Sequence, residues 1–127
     1  MQYTKTERIS ESAEQQAVIE WATWASARYP CLKLLYHIPN GGSRSRAEAG
    51  RFKSEGVKAG VPDLCLPAAR RGYHGLYIEM KAKGGKVSGK QTEWIKALEG
   101  EGYLCRVCYG ADAAIRLIEA YLKEDRA

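Results

Sequence analysis

The sequence predicts an α/β fold in which a mixed central β-sheet is flanked by helices. Two short apolar runs, LCL at 64–66 and LYIEM at 76–80, are typical of buried strands. An alternating segment at 103–109 predicts another strand, and amphipathic segments at 10–29 and 112–123 predict helices. The predicted order is helix, strand, helix, strand, strand, helix, strand, helix, which suits a sheet covered by helices.

The first helix is predicted over residues 10–29. Ser12 and Gln15 fit a capping box at its start. Tyr29-Pro30 ends it, because the residue before a proline avoids the helical conformation. One face of this helix is apolar, and its members are Ala13, Ala17, Val18, Trp21, Trp24 and Ala25.

The remaining elements follow from turn signals and periodicity. A short strand is predicted at 33–38, then the glycine-rich turn PNGGS, then a basic helix at 44–55 that Gly56 ends. After the two central strands, Ser88 and Gln91 fit a capping box for a third helix. The predicted buried face of that helix consists of Trp94, Ala97 and Leu98.

Length and cysteine pattern set further expectations. The 127 residues suit one domain over residues 1–127 with a core at about 10–123. No apolar leader is visible and no apolar run approaches the ~20 residues of a membrane helix, so a cytoplasmic protein without a membrane partner is expected. The four cysteines are scattered, and the odd spacing of Cys105 and Cys108 places them on opposite faces of a strand. We expect reduced core cysteines and no zinc site.

Positive charge is concentrated in the middle of the chain. Residues 31–90 carry 12 Lys and Arg against 4 Asp and Glu, although the net charge of the whole chain is only +5. This concentration is expected if the partner is a polyphosphate backbone. A solvated basic surface explains the charge alone equally well.

Two acidic residues and a lysine are predicted to meet on the central strands. Asp63 precedes the first apolar run, while Glu79 and Lys81 share one face of the second, because residues two apart on a strand point the same way. If the two runs pair, Asp63 lies alongside Glu79. Two close carboxylates suit a divalent cation such as Mg²⁺, which prefers oxygen ligands and keeps water positions open for a phosphate. An ordinary surface ion pair is the alternative interpretation.

The spacing and surroundings of these residues resemble a known nuclease family. Pro62-Asp63, followed after fifteen residues by Glu79-Met80-Lys81, is similar to the signature of the PD-(D/E)XK nucleases. The blocks HIPNGG, AGVPDL, YIEMKAKGG and SGKQ, in this order, resemble the VRR-NUC (virus-type replication-repair nuclease) branch from about Glu11 to Tyr121. The resemblance implies a restriction-endonuclease-like fold and hydrolysis of DNA phosphodiesters with Mg²⁺ or Mn²⁺ and no small-molecule cofactor.

The resemblance also implies a catalytic centre on the two central strands. Asp63, Glu79 and the backbone carbonyl of Met80 would bind the metal. Lys81 would orient the attacking water or stabilise the oxygens of the transition state. Gln91 has two interpretations that do not exclude each other, a helix cap or a side chain that reaches the active site.

A second implied contribution comes from the first helix. In the resembled family a glutamate and a glutamine four residues apart on this helix face the metal, and the match falls on Glu11 and Gln15. Glu11 would complete the acidic cluster as a further metal ligand. The preference of first-turn acids for a helix dipole explains Glu11 and its neighbour Glu14 equally well.

DNA contacts are expected from the glycine-rich turn and the basic helix that follows it. Backbone N–H groups of a glycine turn can approach a phosphate, and arginines come directly after it. The residues expected to contact DNA are His37, Asn40, Gly41, Gly42, Arg44, Arg46, Arg51, Lys53 and Lys86. The alternative is an ordinary surface loop and helix, with His37 in a structural role.

The expected function is a structure-selective endonuclease that acts on branched DNA in repair, in a bacterial or phage-infected cell. Small stand-alone members of the resembled family act on branched DNA, which favours four-way (Holliday) junctions. A homodimer is expected, because resolving a junction needs two cuts related by a two-fold axis. The alternatives are a flap or general DNA endonuclease, cleavage of RNA, and a non-catalytic nucleic-acid-binding module on the same fold.

Overall fold

The computed structural model describes residues 10–39 and 45–123. A 3₁₀ turn at Pro30–Leu34 accompanies four helices and four strands in these ranges. The helices are α1 Glu11–Ala25, α2 Arg46–Ser54, α3 Gly89–Gly100 and α4 Ala111–Leu122. The strands are β1 Tyr36–His37, β2 Leu64–Leu66, β3 Leu76–Lys81 and β4 Leu104–Tyr109. The predicted order of helices and strands is confirmed.

The four strands form one mixed sheet in the order β1-β2-β3-β4. β2 pairs antiparallel with both β1 and β3, with Leu64 opposite Ile78. β3 and β4 are parallel, and the chain between them forms α3. Parallel neighbours need such a crossover, because the chain must return to the starting edge of the sheet. The predicted α/β class with a mixed sheet and flanking helices is confirmed.

The hydrophobic core lies between one face of the sheet and the helices α1 and α4. Alternate residues of the central strands point into it, because neighbouring side chains on a strand point to opposite faces. The core includes Leu64, Leu66, Leu76, Ile78 and Met80 of the sheet, Val18 and Ala22 of α1, and Ala114 and Ile118 of α4. Glu79 and Lys81, which alternate with Ile78 and Met80, therefore belong to the opposite face.

The predicted start, end and apolar face of α1 need correction. Ser10, and not Ser12, is the N-cap, since its hydroxyl accepts from the Ala13 N–H at 3.1 Å. The helix ends at Ala25, four residues earlier than predicted. Val18 and Ala22 face the core, one helical turn apart, whereas Ala13 and Ala17 are exposed and Trp24 is 78% exposed. Trp24 is two residues from Ala22, a rotation of about 200° on a helix, which points its side chain into solvent.

The strand predicted at 33–38 is wrong in its first half. Pro30 is the first residue of a 3₁₀ turn, which suits its fixed φ and missing N–H, and this turn buries Leu32. Only Tyr36 and His37 form a strand, paired with Cys65 and Leu64. β2 has only three residues, so it offers no partner for a six-residue strand.

The capping box of α3 is confirmed, but one residue of its predicted buried face is wrong. Ser88 accepts from the backbone of Gln91, and the side chain of Gln91 accepts from the backbone of Ser88. Trp94 and Leu98 are half-buried as expected, whereas Ala97 is exposed and Ile95 takes its place.

The cysteines are free thiols, as the sequence predicts. Cys65, Cys105 and Cys108 are buried in the sheet. Burial raises the pKa of Cys105 to about 12 and that of Cys108 to about 11, which keeps both thiols protonated and unreactive. In the described part of the chain, no helix is long and apolar enough to cross a membrane.

Candidate active site

Asp63 is held by hydrogen bonds to the strands on either side of it. Its backbone carbonyl accepts from the Ile38 N–H at 2.8 Å and lies 2.9 Å from Nδ1 of His37. Its carboxylate accepts from the Met80 N–H at 2.7 Å through Oδ2. The main chain of Asp63 is thus fixed by β1, and its side chain by β3. This double attachment orients the carboxylate.

Glu79 is buried in the middle of the cluster and is only 2% exposed. Its Oε2 accepts from Nε2 of Gln91 at 2.9 Å and lies 3.6 Å from Nζ of Lys81. Its Oε1 is buried without a hydrogen-bond partner among the described residues. A buried carboxylate oxygen without a partner is costly, so this atom is available to a ligand.

Gln91 connects the start of α3 to the cluster. Its Oε1 accepts from the Ser88 N–H at 2.9 Å, which completes the capping box. Its Nε2 donates to Glu79. The side chain therefore caps the helix and contacts Glu79 at the same time. The two interpretations that the sequence leaves open are thus compatible. The two bonds use both ends of the amide and fix its orientation.

The burial of this cluster raises the pKa of both carboxyl groups. Desolvation is the main cause for Asp63, and the hydrogen bond from the Met80 N–H opposes it. Desolvation, followed by the negative charge of Asp63, raises the pKa of Glu79 to about 8, although the Lys81 ammonium opposes this shift. Lys81 is only 7% exposed. The interpretation of Glu79 and Lys81 as an ordinary surface ion pair is therefore wrong.

Comparison with known proteins identifies the family of this chain. The VRR-NUC domain family matches residues 6–112. The chain belongs to the VRR-NUC family. A solved structure named "VRR_NUC domain protein" shares 36% sequence identity, with a TM-score of 0.73 over 90% of this chain and 88% of that chain. A comparison with curated proteins finds no match. Membership identifies the chain as a nuclease-type domain and confirms the resemblance read from its sequence.

The two acidic residues of the VRR-NUC first helix occupy different environments. A Cβ placed on Gly85 would lie 3.5 Å from Oε2 of Glu11 and 3.4 Å from Cδ of Lys81, so Glu11 borders the cluster. The negative charge of Glu11 also contributes to the raised pKa of Asp63. Glu14 instead accepts from the Ala111 N–H at 2.9 Å through Oε1. Glu11, and not Glu14, therefore borders the cluster.

The role of Glu14 is one that sequence reasoning missed. It caps α4 from another helix, because Gly110 at the N-cap position has no side chain with which to do so. The carboxylate also interacts favourably with the positive end of the helix dipole. One sequence signal could have indicated this role. A helix that begins directly after a glycine has no N-cap side chain of its own, so an acceptor from another segment is needed.

The described residues among those expected to contact DNA lie on one helix, one strand and one loop. Arg46, Arg51 and Lys53 are exposed on α2, and Lys86 is exposed in the loop before α3. The exposed His37 approaches Asp63 through the backbone carbonyl of that residue. The predictions for Asn40, Gly41, Gly42 and Arg44 lie outside the described residues. The structure thus places His37 against the backbone of Asp63, whereas none of the α2 residues named above has a described contact with the cluster.

The chemistry of this VRR-NUC cluster fits a hard divalent cation. Asp63 and Glu79 offer carboxylate oxygens, and Oε1 of Glu79 has no partner among the described residues. Mg²⁺ and Mn²⁺ take oxygen ligands of this kind and accept water in the remaining positions. Within residues 10–39 and 45–123, no three His, Cys, Asp or Glu side chains are grouped as a complete ligand set. Backbone carbonyls and water would therefore supply the other ligands.

The raised pKa of Glu79 predicts that the metal-free protein loses stability as the pH rises. The pKa is about 8 in the folded protein against 4.5 for a free glutamate. The unfolded chain therefore releases this proton at a lower pH than the folded protein does. The stabilisation that Glu79 contributes is complete below about pH 4.5 and is lost as the pH rises through about 8. In chelator, we expect the free energy of unfolding to fall over this pH window. Its slope against pH should correspond to the release of at most one proton per molecule.

Denaturant unfolding of the wild type and of Glu79→Gln across this pH range measures the effect. Gln has nearly the same shape and no proton to lose, so the fall should be smaller in this variant. The remaining slope reports Asp63, whose pKa is raised in the same direction. Equal slopes in the two proteins would contradict the prediction.

Proposed function

We propose that this VRR-NUC domain is a metal-dependent endonuclease that hydrolyses phosphodiesters in branched DNA. The observation that carries the proposal is the buried Glu79, whose Oε1 lacks a hydrogen-bond partner among the described residues while Asp63, Lys81 and Gln91 surround it. Burying these groups costs stability unless a ligand compensates them. A cation that binds a DNA phosphate is such a ligand, and the nuclease family of the chain supports this choice.

Asp63, Glu79 and the backbone carbonyl of Met80 would hold Mg²⁺ or Mn²⁺ in this proposal. A bound divalent cation lowers the pKa of water and neutralises the charge that develops on the phosphate. The Met80 N–H fixes the Asp63 carboxylate, and the Gln91 amide fixes the Glu79 carboxylate. Both carboxylates are therefore oriented before the substrate arrives, so little reorganisation is needed on binding.

Lys81 supplies a fixed positive charge beside the two carboxylates. Its ammonium lies 3.6 Å from Oε2 of Glu79, and the side chain is 8% exposed. In this position it can donate to a phosphate oxygen or to the attacking water. An interaction of this kind strengthens as negative charge develops on the phosphoryl oxygens, which lowers the barrier rather than only improving binding. Glu11, beside Gly85, would extend the acidic cluster from α1.

The DNA would approach across the basic residues around this cluster. His37 lies next to the backbone of Asp63, and because a carbonyl only accepts, its Nδ1 carries the proton of that contact. The proposed phosphate contacts come from His37, Arg46, Arg51, Lys53 and Lys86, together with Asn40, Gly41, Gly42 and Arg44.

A four-way junction is the proposed substrate, and a two-fold symmetric homodimer the proposed active form. One cluster of Asp63, Glu79 and Lys81 cuts one strand at a time. Resolving a junction requires two cuts related by the two-fold axis of the junction, which an isologous dimer supplies.

Cleavage of a substrate panel tests the function. Four-way junctions, flaps, forks and plain duplex are incubated at equal concentration with Mg²⁺, with Mn²⁺ or with chelator, alongside a matching RNA duplex. We expect cleavage only with metal and faster on junctions than on the other DNAs, and light scattering should show a dimer of the 14.1 kDa chain. Binding without cleavage under all conditions would instead indicate a non-catalytic module. Equal rates on flaps and junctions would contradict the junction preference alone.

A further inference from the structure

A groove lined by aromatic residues and lysines lies between α2, the loop that follows it and α3. Its larger cavity, of about 580 Å³, is lined by Phe52 and Trp94 and by three lysines. Cavities of about 300–1,000 Å³ are typical of sites that bind small molecules or cofactors. The lysines are Lys53, Lys58 and Lys90, all of them exposed. A second cavity of about 400 Å³ shares Val57, Lys58 and Trp94 with the first, so the two form one groove with Trp94 between them.

Two lining residues, Lys90 and Ile38, connect the groove to the neighbourhood of the carboxylate cluster. Lys90 precedes Gln91, which contacts Glu79. The smaller cavity reaches Ile38, whose N–H donates to the Asp63 carbonyl. Close packing of Gly60 on Lys90 joins the two sides, since a Cβ at Gly60 would lie only 2.6 Å from Cγ of Lys90. A strand bound in the groove would therefore lie near the proposed metal site.

The charge and shape of the groove point to one kind of ligand. Among the described residues that line the larger cavity there is no Asp or Glu, and Glu55 lines only the smaller one, so three lysines make the larger cavity a favourable place for an anion. Trp94 is half-buried and lines both cavities, and Phe52 lines the larger one. Duplex DNA offers phosphates but keeps its bases stacked inside. An unpaired nucleotide offers both a phosphate for the lysines and a flat base for the indole.

We propose that this groove binds an unpaired nucleotide of the DNA substrate, with its base stacked on Trp94 and its flanking phosphates held by Lys53, Lys58 and Lys90. The proposal rests on the proposed nuclease function and deepens it, because it assigns recognition of branched DNA to a defined site. A base that leaves the duplex at a branch enters the groove, and the adjoining strand then passes Asp63 and Glu79. Intact duplex has no base to insert.

Binding of two matched DNAs tests this site in chelator, where no cleavage occurs. The DNAs are a blunt duplex and the same duplex with a short thymine tail, and the variants are Trp94→Ala, Trp94→Phe and Trp24→Ala. We expect Trp94→Ala to weaken binding of the tailed DNA by roughly 5- to 100-fold and to leave the blunt duplex almost unchanged. Trp94→Phe keeps an aromatic ring and should retain most of the preference. Trp24 is exposed on α1 and lines neither cavity, so its variant should behave as wild type.

A fluorescence measurement leaves Trp94 in place and avoids any loss of folding caused by its replacement. The chain has three tryptophans, so changing Trp21 and Trp24 to Phe leaves Trp94 as the only indole. A thymine oligonucleotide should quench its emission by stacking. An abasic oligonucleotide of equal length has the same phosphates and should bind more weakly, with little quenching. Equal quenching and affinity for the two would overturn the proposal, as would equal losses on tailed and blunt DNA in Trp94→Ala.

These outcomes separate the groove from the proposed nuclease activity. A protein that prefers thymine to abasic DNA but cuts nothing with Mg²⁺ or Mn²⁺ would support the groove and refute the nuclease. A protein that cuts branched DNA but treats the thymine and abasic DNAs alike would support the nuclease and refute the groove.

Discussion

Replacing Asp63 by Asn, Glu79 by Gln or Lys81 by Ala is expected to reduce DNA cleavage by about 1,000-fold or more. Removing a single group that stabilises transition-state charge typically costs about 100- to 1,000-fold, and loss of a metal ligand adds to this. The fold should survive in the two amide variants, because Asn and Gln keep an oxygen that can accept from the Met80 N–H and from Gln91. Single-turnover cleavage of a four-way junction measures the loss.

Circular dichroism and junction binding, measured on the same samples, separate lost chemistry from lost structure. Lys96→Ala is a suitable control, since Lys96 is exposed on α3 and belongs to no proposed site. Folded variants of Asp63, Glu79 or Lys81 that cut at near wild-type rates would place the active site elsewhere. Unchanged binding together with lost cleavage is the outcome that the proposed roles require.

Different effects are expected when the two neighbouring acids of α1 are replaced. Glu11→Gln should reduce cleavage by roughly 10- to 100-fold with little change in stability, because Glu11 borders Lys81 and Gly85 at the surface of the cluster. Glu14→Gln should lower the free energy of unfolding by about 0.3–1 kcal/mol, since it removes a negative charge from the start of α4. Its effect on cleavage should be the smaller of the two.

Cleavage rates and urea unfolding of both variants decide between the two roles. Gln is close to Glu in shape, so the two substitutions differ only in the position from which the charge is removed. The reverse order, with Glu14→Gln the less active enzyme and Glu11→Gln the less stable protein, would show that α1 is oriented differently in the active protein.

The central strands and their polar residues could be predicted from local pattern alone. Two apolar runs flanked by turn residues have few alternatives to buried strands, and period-two alternation then assigns Glu79 and Lys81 to one face and Met80 to the other. The capping box of Ser88 and Gln91 is equally local, since it depends on residues three apart. These features were confirmed because the interactions that create them lie within a few residues of the chain.

Features that depend on packing between distant segments could not be predicted from the local sequence pattern. The exposure of Trp24 follows from the side of α1 that meets the sheet, and the 3₁₀ turn before β1 follows from the burial of Leu32. The contact between Glu14 and Ala111 joins residues 97 positions apart. No periodicity reports such a contact, because its free energy arises only after both helices have packed.

The sequence by itself determined the α/β class, the family resemblance and the three polar residues of the central strands. Only the tertiary structure decided that Gln91 contacts Glu79 as well as capping α3, and that one oxygen of Glu79 is buried without a partner in the described part of the chain. The physical reason is that burial, and with it the raised pKa of Glu79, is a property of the assembled layers. A pattern of residue types places a carboxylate on a strand, whereas desolvation and hydrogen bonding from neighbouring elements decide what that carboxylate can bind.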